Sequence, residues 1–106
     1  EAGLRLDLDG VTAVFVANDR MALGVLRALA ERGVRVPDDV SVAGIDDIPE
    51  AGYFQPPLTT VHIDFEGTGR AAAESLIAMI RDPDAEPVPQ GERRLAVRAS
   101  TGPVRD

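Results

Sequence analysis

The sequence has no cysteine, no lysine and no tryptophan, one histidine, and no apolar run near the about 20 residues that cross a bilayer. Without lysine there is no P-loop lysine, no Schiff base and no cationic partner for an acidic phosphoacceptor pocket. Without cysteine, with one histidine and with no glycine-rich phosphate loop, nucleophilic and metal-dependent chemistry both lack parts. The expectation is a protein that is not an enzyme and uses no cofactor and no metal. All eleven basic residues are arginine against eighteen acids, a net charge of −7 that argues against phosphate-backbone contact through this segment. Absent cysteine and the absence of a signal-like start fit a reducing compartment, so a cytoplasmic location away from membranes is expected. The chain opens on Glu1 in mid-pattern and reads as a piece of something longer.

With 44% hydrophobic residues, 106 residues suffice for one domain that buries roughly two thirds of its unfolded surface. Val14-Phe15-Val16-Ala17-Asn18-Asp19-Arg20-Met21 is an apolar run that stops at an Asn-Asp pair and turns at once into a helical pattern. The event recurs where Val40–Ile45 meets Asp46-Asp47 and where Thr59–Ile63 meets Asp64-Phe65. Strands are expected over 12–17, 40–45, 59–63 and 94–99, and helices over 19–32 and 64–81. A short helical turn falls before Pro56-Pro57, and a strand-like alternation of Leu4, Leu6 and Leu8 lies at the start. Gly33 and Asp82-Pro83 supply the helix stops. The order implies an α/β fold, a mostly parallel sheet flanked by helices. Ligands bind such sheets at the carboxyl ends of their strands.

Each polar pair at that rim has a structural and a functional use. Either Asn18 or Asp19 caps the first helix; the acid suits the dipole, leaving Asn18 to donate to and accept from a ligand hydroxyl. Asp47 has capping-box spacing to Glu50, which frees Asp46 to accept two hydrogen bonds. A divalent ion on the paired acids would want more oxygen ligands than the sequence supplies. Phe65 is either core or an apolar ring face for a sugar or base. On the first helix, Met21, Val25, Leu29, Ala22, Leu26, Ala30 and Leu23 sweep an apolar arc of roughly 200°. One sheet covers about half of that, so a second copy of the chain is expected at Met21, Leu23 and Ala30, with Tyr53 and Phe54 adding contact area. On the second helix, Phe65, Leu76, Met79, Ile80 and Ile77 form a single stripe that wants one partner surface.

Residues 14–24, then 36–49, then 56–61, taken in that order, resemble the effector-binding core of LacI/GalR bacterial transcription regulators across roughly residues 11–104. The resemblance implies the C-terminal lobe of a periplasmic-binding-protein-like core, with a helix-turn-helix headpiece and an N-terminal lobe outside this chain. It also implies a homodimer, contact with operator DNA through the headpiece alone, and a sugar or nucleobase-like effector. The family's effector contacts fall on Asn18, Asp46 and Phe65. Ile63 departs from the pattern, standing where relatives often carry a polar residue. The rival expectation is a fragment of an extracytoplasmic sugar-binding transport protein of the same fold. Upstream sequence separates the two, as a helix-turn-helix or as a signal peptide.

Overall fold

The computed structural model describes residues 1–105. Four strands, β1 (Ala13–Phe15), β2 (Ser41–Asp46), β3 (Thr59–His62) and β4 (Arg94–Ala96), form one sheet in that order, with two α-helices, α1 (Asp19–Glu31) and α2 (Phe65–Arg81). Both β1–β2 and β2–β3 are parallel, in registers that set Phe15 opposite Ala43 and Asp46 opposite His62. The mixed α/β class follows from sequence as expected. The chain divides into two compact units, Glu1–His62 with the stretch from Leu95 on, and Ile63–Arg94.

In the first unit the core is built where α1 lies against β2. Ala22, Leu26 and Leu29 of the helix meet Val16, Val42, Ala51, Phe54 and Leu58. Helix α1 ends as its sequence dictates, with Gly33 at φ +71°, a conformation that favours glycine. Strand β1 is shorter than expected because it is an edge strand: Val14 and Val16 face the core, and the alternate residue Phe15 is 67% exposed. The segment after β4 closes the sheet's other end. Ser100 is fully buried, donating through Oγ to the Val42 carbonyl at 2.6 Å and accepting from the Thr59 N–H at 2.8 Å.

The opening residues are not a strand. Ala2–Arg5 form a 3-10 helix against α1, held by Arg32 Nη1 donating to the Leu6 carbonyl at 2.8 Å. The alternating leucines mislead because a single 3-10 turn lies within their span. Gly3 is the contact point: a Cβ there would come within 2.8 Å of the Ala28 Cβ and 3.4 Å of the Val25 Cα. This segment covers the Val25–Ala28 edge of the α1 arc, leaving the Leu23–Ala30 edge open.

In the second unit, Asp64 caps α2 by accepting from the Gly67 N–H at 2.9 Å. Ser75 Oγ accepts from the Val88 N–H at 2.8 Å and ties the proline-rich loop to the helix. Only Ala71 is buried on α2, while Leu76, Ile77, Met79 and Ile80 stay exposed. The expected stripe exists, and the proline-rich loop of residues 84–92 leaves most of it uncovered.

Candidate functional site

Three residues beyond the Phe15–Ala43 pair, Asn18 and Asp46 stand at equivalent levels past the ends of neighbouring parallel strands. Both are half-buried. The helix cap is Asn18 rather than Asp19. With φ −159°, its backbone is extended and its Oδ1 accepts from the Met21 N–H at 2.9 Å. The cap engages only Oδ1 and leaves the amide Nδ2 outside it, so Asn18 keeps two donors at the rim.

Asp19 does what the sequence did not suggest. Its side chain is fully buried; Oδ1 accepts from Thr60 Oγ1 at 2.6 Å and Oδ2 from the Ile48 N–H at 3.0 Å. One carboxyl thus pins the start of α1 to β3 and to the turn after β2. The cost is space on β2, where a Cβ at Gly44 would sit 2.5 Å from Asp19 Oδ1. That glycine inside a strand was the available signal, since such glycines mark close approach.

Asp46 and Asp47 both have left-handed backbones, at φ 128° and 57°. Each non-glycine residue so placed costs on the order of 1–3 kcal/mol and persists only when its surroundings fix it. Asp47 is fixed. Its Oδ1 accepts from Arg98 Nη2 at 2.7 Å, its Oδ2 lies 2.9 Å from His62 Nδ1, and its side chain is 10% exposed. Burial alone would raise the Asp47 pKa, but hydrogen bonds from Arg98 and His62, with their charges, outweigh it and hold the carboxyl below its ordinary value. His62 Nδ1 therefore carries the proton and donates.

The expected capping box is absent. The 3-10 helix Pro49–Tyr53 has Ile48 at its N-cap and no side-chain cap bond. Its first residue is proline, which has no N–H to satisfy, and the Asp47 carboxylate is committed to β3 and Arg98. The role of Asp47 is structural, as expected, by a different bond. Asp46, by contrast, receives no hydrogen bond on its carboxylate from any described residue. A bare carboxylate level with a free amide is suited to vicinal hydroxyls or to the N–H edge of a base.

Phe65, in the second unit, opens α2 and is 61% exposed, which removes the core reading for it. Of the residues expected to meet a second copy, Met21, Leu23, Ala30 and Tyr53 are exposed. Phe54 is not: at 7% exposure it belongs to the core, because the residue after the 3-10 helix turns inward over Ala51 and Leu58. An apolar groove of about 280 Å³ runs along the open edge of α1, lined by Leu23, Leu26, Arg27, Ala30 and Gln55.

A family profile described as "Periplasmic binding protein-like domain" matches residues 2–101. The HTH-type transcriptional repressor PurR of Vibrio atlanticus is 52% identical over 75 residues, 71% of this chain and 22% of that protein. A crystal structure of the Lac repressor dimer bound to operator and the anti-inducer ONPF superposes with a TM-score of 0.81 at 34% identity, covering 94% of this chain and 31% of that one. A transcriptional regulator CelR–cellobiose complex superposes with a TM-score of 0.74 at 42% identity, covering 88% and 29%. The chain spans less than a third of the length of each of these relatives.

Proposed function

Because the chain belongs to the periplasmic binding protein-like family, among the regulators of LacI type, we propose that it is the effector-binding and dimerisation lobe of a DNA-binding transcriptional regulator. The observation that carries this reading is the unpartnered Asp46 carboxylate beside the half-used Asn18 amide at the carboxyl rim of parallel strands. In this reading the two groups hydrogen-bond a sugar or nucleobase-like effector; Phe65, in the second unit, is a separate candidate contact whose exposed ring suits an apolar sugar or base face. Binding, not catalysis, is the role in this reading, in keeping with relatives named as transcriptional repressors and regulators.

A second copy of the chain packs against α1, at Leu23 and Ala30 on its open edge and at Met21 beside the opening 3-10 helix, with Tyr53 adding contact area. Contact with operator DNA belongs to a headpiece outside this segment, whose net charge of −7 repels phosphate. A regulator that meets operator DNA works in the cytoplasm, which is the location proposed for this chain. Among the described residues no helix is long and apolar enough to cross a membrane. The three relatives above are two repressors and one transcriptional regulator by name, which favours this reading over a transport protein.

A thermal-shift screen of monosaccharides, disaccharides and purine bases at millimolar concentration tests it. At least one compound should raise the Tm of the wild-type chain and fail to raise that of Asp46→Asn. A screen without a hit, or a hit that Asp46→Asn leaves intact, contradicts it.

A further inference from the structure

Asp46 and Asp47 hold two left-handed backbones in succession, and only the second has a side chain tied down. The tie comes from far away in sequence. Arg98 lies 51 residues on, past β4, and is itself anchored: Nη1 donates to the Leu58 carbonyl at 2.9 Å and its N–H to Thr59 Oγ1 at 2.8 Å. His62 holds the other oxygen of Asp47 from β3, where it is the register partner of Asp46 itself. Two fixed donors on one carboxylate over-determine the Asp47 backbone. Through the single peptide that joins them, they also restrict where the Asp46 side chain can point.

We propose that Arg98, with His62 as second anchor, is a positioning residue of the effector site, holding Asp47 so that the Asp46 carboxylate faces the ligand. This rests on the reading that Asp46 meets the effector. The stretch after β4 thereby becomes part of the site without touching the ligand. An arginine suits the place because its planar fork serves the Leu58 carbonyl and the Asp47 carboxylate at once, which a lysine does not.

Arg98→Met keeps the stem and removes both bonds. Backbone couplings and carbon shifts of Asp46 and Asp47 report the sign of φ with no ligand present, and titration with cellobiose reports affinity. The expected result is that Arg98→Met shifts or averages the couplings of both aspartates, leaves the signals of α1 in place, and weakens cellobiose at least about tenfold. Arg98→Lys should recover part of both effects. Unchanged couplings with wild-type affinity in Arg98→Met overturn the proposal. If Arg98→Met does not fold, Asp47→Asn, which keeps shape while removing the charge that Arg98 grips, is read by the same couplings with the same two outcomes. Should cellobiose fail to bind the wild-type chain, the effector reading has failed for that sugar, and the couplings alone decide the positioning role.

Discussion

Four acidic or amide side chains at two strand ends divide their work by what lies across from each. Asp19→Ala would leave the Thr60 hydroxyl and the Ile48 N–H without partners in the interior, so it should cost about 3 kcal/mol in a denaturant titration. Gly44→Ala, pressing on the same carboxyl, should cost about 1–3 kcal/mol, and the double variant less than the sum. Asp46→Asn should change stability by no more than about 0.5 kcal/mol while removing effector response. Asp47→Ala should cost about 2–3 kcal/mol, since it strands a half-buried arginine and a histidine. Stability curves with the two aspartates reversed would contradict the assignment. From sequence, one member of each pair was legible as free and the other as bound, and Asp46 and Asp47 divide as expected. Asn18 and Asp19 do not divide that way. Either can cap a helix locally, and the choice is made by Thr60, which β3 brings in from 41 residues away.

At the scale of elements, helix α1 carries more apolar surface than its sheet covers, and the structure accounts for part of the excess. The opening 3-10 helix takes the Val25–Ala28 edge, a contact invisible in the sequence because it needs only one small residue, Gly3. The Leu23–Ala30 edge stays open over an apolar groove. Leu23→Glu should therefore convert a dimer into monomers by sedimentation, because two like charges would be buried near a two-fold axis. A wild-type chain monomeric at tens of micromolar, or a dimeric Leu23→Glu, would remove α1 from the interface. The turn between α1 and β2 contributes to the acid limit. The Asp39 carboxyl, held by hydrogen bonds from the Arg35 side chain and N–H, is lowered from 3.8 to about 2. Asp47 is also lowered. Depressed carboxylate values contribute stability that is present above the ordinary carboxylate range and lost as pH falls through the folded value. The melting temperature should thus hold above about pH 4 and fall toward pH 2, less steeply in Asp39→Asn. A melting temperature that rises on acidification would contradict these pairs.

For the whole molecule, the order of strands and helices and the parallel sheet were legible because apolar period and turn residues agree at every element from β1 to α2. What the sequence did not reveal is tertiary in origin: the inward turn of Phe54, the exposure of the α2 stripe and the Arg98 anchor all depend on which surface meets which. The central claim is that the rim of β1 and β2 receives a small effector through Asn18 and Asp46. The most direct test is an amide nuclear magnetic resonance titration of the chain with the compound that shifts its melting temperature. The account predicts that the largest changes fall on the Asn18 side-chain amide and on the backbone of Asp46 and Asp47, and that Asp46→Asn abolishes them. Changes centred on the Leu23–Ala30 groove, with the rim unmoved, would contradict it.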